Sequence, residues 1–128
     1  FQAKLLRALQ SGEFRRLGDT LARRTDARII AATNANIDHA LKDGRFREDL
    51  YYRLNVVTLN LPPLRERKED IAVLAEHFAR TFCTGRGIAY QGLGEGALAR
   101  LVAYDWPGNV RELEHAVEAA HELDIHGA

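Results

Sequence analysis

The paired prolines at positions 62 and 63 divide this chain into two parts with different hydrophobic patterns. Proline fixes its own φ angle and lacks an amide hydrogen, so neither a helix nor a central strand runs through this pair. The first part mixes helical spacing with strand-like runs, whereas the second part shows helical spacing alone. We therefore predict an α/β unit over residues 1–62 and an all-helical unit over residues 63–128.

The predicted strands of the first part are short, and one of them has the composition of a fully buried strand. The segment from Ala27 to Thr33 consists largely of small apolar and β-branched residues, which is typical of a strand covered on both faces. Four strands are predicted in all: 13–17, 20–24, 27–33 and 56–61. Three helices are predicted from apolar residues at helical spacing: 2–10, 37–44 and 47–54.

The second part contains three stretches in which apolar residues recur every three or four positions. They extend over residues 71–82, 97–102 and 110–120. Gly85 and Gly87 follow the first stretch, and Trp106-Pro107 follows the second. This pattern predicts a small bundle of three helices.

Composition and charge exclude several classes of protein. No apolar run is long enough to span a bilayer, so we expect a cytoplasmic protein without a membrane segment. Cys83 is the single cysteine, and the histidines show no spacing typical of a zinc site. Residues 1–67 hold 13 Lys/Arg against 8 Asp/Glu, and residues 68–128 hold 5 against 10. This uneven balance differs from the uniformly basic surface of a DNA-binding domain.

The segment from Trp106 to Leu113 combines the signals of a helix start with a positive charge in the first turn. Asn109 is the predicted N-cap, and Glu112 stands at the capping-box position three residues later. Arg111 would then lie where unpaired backbone N–H groups already create partial positive charge. A bound phosphate would be attracted both by Arg111 and by these N–H groups, and its negative charge would offset their mutual repulsion. The alternative is a solvated arginine that pairs with a glutamate of the same helix, Glu114 or Glu118.

Polar residues follow the predicted buried strand directly. Thr33 and Asn34 stand at its carboxyl end, where ligands bind in open parallel sheets. An asparagine amide can orient a water molecule towards a phosphate, because it both donates and accepts hydrogen bonds. The alternative is that Asn34 forms a turn or caps the helix that follows.

Two arginines, Arg47 and Arg53, flank the predicted helix 47–54. Their spacing directs them to different faces of that helix. Arginine stabilises charge in phosphoryl transfer when a neighbouring subunit supplies it. From the residues alone, a structural explanation is the default, since Arg53 lies near the helix C-terminus and Arg47 can pair with nearby carboxylates.

Taken together, these segments resemble the AAA+ domain of the sigma-54-dependent transcription activators. The resemblance covers nearly all 128 residues and is carried by five blocks in the order of the family: Gln2–Gln10, Arg28–Asn34, Gly44–Asn55, Leu61–Arg67 with Glu69–Ile71, and Trp106–Leu113. It implies the C-terminal part of a P-loop AAA+ α/β core, followed by an all-α helical lid. Pro62-Pro63 would be the join between the two.

The resemblance also implies a role for each candidate residue. Thr33 and Asn34 match sensor I, Arg47 and Arg53 match the arginine fingers, and Arg111 matches sensor II. In the intact protein, the family's cofactors are ATP and Mg²⁺, and its members assemble as hexameric or heptameric rings. Hydrolysis remodels sigma-54 RNA polymerase, which is contacted through a separate loop. DNA is bound through a separate domain.

The phosphate loop and the acidic metal-binding pair of the family are absent from these 128 residues. We therefore expect that the 128 residues do not hydrolyse ATP by themselves. Two other functions remain open on sequence grounds, namely a non-catalytic oligomerisation or interaction module and a DNA-binding module. The acidic balance of the second half disfavours the DNA-binding module.

Overall fold

The computed structural model describes the backbone of residues 1–126 and the side chains of residues 1–122. The chain forms two compact units, one from Phe1 to Leu59 and one from Asn60 onwards. The first unit contains three helices and a two-stranded sheet. Its elements are α1 (Gln2–Ser11), β1 (Glu13–Phe14), β2 (Arg23–Arg24), α2 (Ile37–Lys42) and α3 (Glu48–Leu54).

Helix α1 packs on α3 and forms the small core of the first unit. Leu6 on α1 and Leu50 on α3 are both buried. The α1 helix ends as the sequence predicts, because Gly12 adopts the left-handed conformation at φ 71° and donates its N–H to Ala8 O at 2.8 Å. The Gln2 side chain links the two helices further, donating to Arg45 O at 2.7 Å and accepting from Arg47 N–H at 2.8 Å.

The strand predictions for the first unit are largely wrong. Strands β1 and β2 pair antiparallel, with Glu13 opposite Arg24, but each has only two residues. Residues 27–33 and 56–61 form no strand and lie exposed, with Ile30 85% and Leu59 85% accessible. A buried strand depends on hydrogen-bonded neighbours and on packing against both faces. The described residues provide neither for these two segments.

The second unit has the predicted all-helical architecture. A short 3-10 turn (Leu64–Glu66) precedes three helices, α4 (Glu69–Arg86), α5 (Glu95–Ala103) and α6 (Asn109–His126). Helix α4 continues through Gly85 and ends at Gly87, which has a φ of 68°. No helix in the described part of the chain is long and apolar enough to cross a membrane.

The core of the second unit lies mainly between α4, α6 and the 3-10 turn. Its buried members are Leu64, Ile71, Ala75, Ala79, Trp106, Leu113 and Val117. Trp106 satisfies its indole N–H by donating to Leu101 O at 2.7 Å. Full burial of one leucine or isoleucine side chain contributes about 1.5–3 kcal/mol. Cys83 on α4 is also buried.

Candidate functional site

The start of α6 has an unusual backbone that presents Arg111 at the surface. Trp106 and Asn109 both adopt positive φ, at 52° and 54°. This left-handed conformation costs about 1–2 kcal/mol in residues other than glycine, with asparagine the most tolerant. Arg111 lies in the first turn of α6 and is exposed. The expected placement of this cation at a helix N-terminus is confirmed.

The predicted N-cap at Asn109 is wrong, because the side chain has a distant partner. Asn109 Oδ1 accepts the backbone N–H of Leu64 at 2.9 Å, which ties the 3-10 turn to the start of α6. Glu112 Oε2 instead accepts the N–H of Gly108 at 2.6 Å, and Glu112 N–H donates back to Gly108 O at 3.2 Å. Only glycine fits at position 108, since a Cβ there would stand 2.7 Å from Glu112 Cβ.

A groove of about 910 Å³ lies between the 3-10 turn and the start of α6. We call it the lid groove; its charged and titratable lining residues are Arg65, Arg67, Arg111, Glu112 and His115. Arg67 is paired with Asp70 at 2.6 Å. Within the described residues, neither Arg65 nor Arg111 forms an ion pair. The lid groove therefore offers two uncommitted guanidinium groups to an anion.

The carboxylate of Glu112 does not neutralise Arg111. It is hydrogen-bonded to the Gly108 N–H, and its negative charge raises the pKa of Tyr104 above its ordinary value. Among the ion pairs of the described residues, none joins Arg111 to Glu114 or Glu118. A cation without a partner beside a helix N-terminus is suited to a phosphate.

The sensor I candidates lie in an exposed, irregular segment of the first unit. Thr33 Oγ1 accepts the N–H of Ala35 at 3.0 Å, which closes a local turn. The Asn34 side chain makes no hydrogen bond to any residue that the structure describes. Asn36, not Asn34, caps α2 by accepting from His39 N–H at 3.1 Å. Asn34 is therefore free for a ligand, but no strand of the described chain holds it in place.

Both finger candidates make contacts within the first unit. Arg47 is the N-cap residue of α3 and binds Asp49 through two hydrogen bonds, Nε to Oδ1 at 3.1 Å and Nη2 to Oδ2 at 2.8 Å. These bonds raise the pKa of Arg47 and lower the pKa of Asp49. Arg53 donates to Leu9 O on α1 at 3.2 Å. The structural explanation therefore accounts for both arginines in the isolated chain.

Sequence reasoning missed Arg65 and His115 as lining residues of the lid groove. His115 could have been found from spacing, since it follows Arg111 by four positions and so shares its helix face. Arg65 had no comparable local signal, because the 3-10 turn meets α6 only in the folded unit. No group of three or more metal-ligating side chains occurs in the described part of the chain, so these residues do not fit a Mg²⁺ site by themselves.

Known families match both units. Residues 1–60 match the sigma-54 interaction domain, and residues 65–126 match the AAA+ ATPase lid domain. The chain is 50% identical over 125 residues to the phenol regulator MopR of Acinetobacter guillouiae. The aligned region covers 98% of the chain and 22% of the regulator. It is 52% identical over 120 residues to the Nif-specific regulatory protein of Azospirillum brasilense. That alignment covers 94% of the chain and 19% of the Nif-specific protein.

Solved structures give the same result. The crystal structure of NtrX from Brucella abortus in complex with ADP superposes with a TM-score of 0.83 at 42% identity, over 91% of this chain and 27% of that one. The chain thus spans only about a quarter or less of the proteins that it matches. Both units, the lid groove and the order of the matched domains lead to one assignment. The chain belongs to the sigma-54-dependent transcription activators, in which it forms the C-terminal part of the AAA+ domain.

Proposed function

We propose that, in the intact protein, this chain helps to hydrolyse ATP in a ring of identical subunits, and that hydrolysis remodels sigma-54 RNA polymerase for promoter opening. The observation that carries this proposal is the uncommitted Arg111 in the lid groove. The solved relative NtrX was crystallised with ADP, which supports nucleotide as the ligand class. Residues 1–62 would be the end of the α/β subdomain, and residues 63–128 the lid.

Each candidate residue has a distinct task in this proposal. Arg111 would bind a phosphate of the nucleotide from the lid, and Asn34, with Thr33 beside it, would orient water and phosphate as sensor I. Arg47 and Arg53 would stabilise the charge that develops on the transferred phosphoryl group in an adjacent subunit. In this chain the Asp49 carboxylate accepts a hydrogen bond from the Arg47 guanidinium. A phosphate therefore has to replace Asp49 as the partner of Arg47.

Magnesium would neutralise the phosphate charge when bound, and its ligands would come from outside the described residues. The ring, six or seven subunits in the family, would bring Arg47 and Arg53 to a neighbour's nucleotide. The polymerase-contacting loop and the sequence-specific DNA-binding domain also lie outside these residues. The 128 residues contain no G-x-x-x-x-G-K-[ST] phosphate loop, so we expect no ATP turnover from this polypeptide alone.

Phosphate release by the intact protein tests the role of Arg111. Arg111→Ala should lower kcat/KM by about 10²-fold or more, because one charge-stabilising contact at a phosphate contributes roughly 3 kcal/mol. Arg100→Ala is the matched control, since Arg100 is an exposed lid arginine that does not line the lid groove. Equal rates for both variants would contradict the assignment and favour a non-catalytic interaction module.

A further inference from the structure

Helix α1 is joined to the α3 region by three side-chain hydrogen bonds that link distant parts of the sequence. Gln2 Nε2 donates to Arg45 O at 2.7 Å, and Gln2 Oε1 accepts Arg47 N–H at 2.8 Å. Arg53 Nη2 donates to Leu9 O at 3.2 Å. Among the described residues of the first unit, every other side-chain hydrogen bond joins residues at most four positions apart. The long-range bonds of this unit therefore converge on the two finger candidates.

The Gln2 amide binds the backbone on both sides of Phe46. This segment precedes α3, so the hydrogen bonds of a helix do not satisfy its N–H and C=O groups. Phe46 N–H donates instead to Ala40 O on α2 at 3.1 Å. Arg47 then adopts an extended backbone, with φ −71° and ψ 131°, at the N-cap of α3. Because backbone angles restrict the rotamers of a side chain, holding this segment sets the direction in which the Arg47 side chain leaves the chain.

The same face of α1 holds the other end of α3. Gln2, Leu6 and Leu9 are spaced by four and then three positions, so they share one face of α1. Leu9 O is one of the last four carbonyls of α1, which lack partners within the helix and carry partial negative charge. This end of α1 therefore attracts the Arg53 guanidinium. A single helix thus fixes both finger candidates relative to each other.

We infer that Gln2 is a positioning residue for the arginine finger Arg47. The inference rests on the proposed role of Arg47 at a neighbour's nucleotide. A cation stabilises developing charge only when it is held in place beforehand, and a misplacement of about 1 Å can lower a rate about 100-fold. Burial of Leu6 and Leu50 packs α1 on α3, but the Gln2 amide is what binds the backbone just before the helix.

The substitution Gln2→Met tests this inference in the intact protein, because methionine has a similar length and helix propensity but makes neither hydrogen bond. In a phosphate-release assay, kcat should fall about 10- to 100-fold, and KM for ATP should change by less than about twofold. Gln10→Met is the matched control. Gln10 is an exposed residue of α1 whose side chain makes no hydrogen bond to any residue that the structure describes. Equal kcat values for the two variants would overturn the inference.

Mixed rings distinguish positioning from folding, because a finger acts on a neighbour's nucleotide whereas Arg111 acts in its own subunit. Gln2→Met mixed with Arg111→Ala should recover about a quarter of the parent rate, since a random ring joins an intact nucleotide site to an intact finger at about one interface in four. Gln2→Met mixed with Arg47→Ala should stay at the mean rate of the two variants, because neither supplies a working finger. Recovery with Arg47→Ala would place the defect in the subunit's own nucleotide site, and recovery with neither partner would limit Gln2 to a role in folding. Either result would overturn the inference.

Arg47→Ala mixed with Arg111→Ala is the reference for these mixtures, and it should also recover about a quarter of the parent rate. If this reference pair recovers and the pair of Gln2→Met with Arg111→Ala does not, the inference fails while the proposed function stands. If the reference pair does not recover, the proposed finger role itself fails, and the inference fails with it.

Discussion

The two units of this chain are held together by different kinds of contact. In the second unit, helices α4 and α6 and the 3-10 turn bury a continuous set of apolar side chains, including Ile71 and Leu113 at 0% exposure. In the first unit, only Leu6 and Leu50 are buried hydrophobic residues, and exposed polar contacts supplement them. The difference teaches that amphipathic helices can close a core among themselves, whereas strand segments need partners from elsewhere in a sheet.

The largest expected effect comes from opening the core of the second unit. Leu113→Ala should lower the free energy of unfolding by about 2–5 kcal/mol, because it removes a fully buried side chain and leaves a cavity. Leu59→Ala is the control in the first unit, where the side chain is 85% exposed, and it should change stability by less than about 0.5 kcal/mol. Urea unfolding followed by circular dichroism measures both. Similar losses of unfolding free energy in the two variants would contradict the difference between the two units described above.

The next effect concerns the bond between the 3-10 turn and α6. Asn109→Ala should destabilise the second unit by about 1–3 kcal/mol, because it leaves the buried Leu64 N–H without an acceptor. Asn109→Asp keeps an acceptor oxygen and should retain most of the stability. Asn109→Gly also removes the hydrogen bond, but glycine adopts the positive φ without strain. Its thermal unfolding temperature should therefore lie between those of the alanine and aspartate variants.

A smaller effect is expected on association than on folding. Ile30 and Val57 are 85% and 79% exposed in the first unit, and exposed apolar segments promote contact between chains. Ile30→Lys should raise the concentration at which the chain self-associates by about tenfold, since contact burial of one such side chain contributes about 1.5–3 kcal/mol. Light scattering across a dilution series measures this. Val73→Lys, at a 70% exposed position on α4, serves as the control and should have a smaller effect.

The smallest effect is the pH response of the exposed Arg47–Asp49 pair. The hydrogen bonds from Arg47 lower the pKa of Asp49, so the folded chain releases this proton more readily than the unfolded chain. The pair therefore contributes stability above the unfolded pKa of an aspartate, and this contribution is lost as pH falls through the lowered folded value. In an NMR titration, Arg47→Ala should raise the pKa of Asp49, whereas Arg45→Ala should leave it unchanged. An identical Asp49 pKa in both variants would contradict this account.

Helix positions were predictable because their signals are local. The apolar spacing of α4 and α6, and the glycines that end α1 and α4, depend on residues within a few positions of one another. The strand at 27–33 was predicted from composition alone. Composition describes what a segment could bury, but it does not provide the neighbouring strands on which burial depends.

For the candidate site too, local signals predicted the position of a side chain in its helix but did not predict a partner that is distant in the sequence. The sequence placed Arg111 in the first turn of a helix, and the structure confirms that placement. Local capping rules also predicted Asn109 as the N-cap, but its amide oxygen binds Leu64 N–H, 45 positions away. No rule based on nearby residues could have chosen that partner. The roles of Asn34, Arg47, Arg53 and Arg111 at a nucleotide remain predictions.

The sequence by itself determined the family and the helices, because motif spacing and amphipathic periodicity are properties of the linear chain. Only the tertiary structure decided the lid groove and the partner of Asn109. These features depend on which distant backbone and side-chain groups meet. Such meetings are set by the packing of whole elements against one another, and local propensity does not encode them.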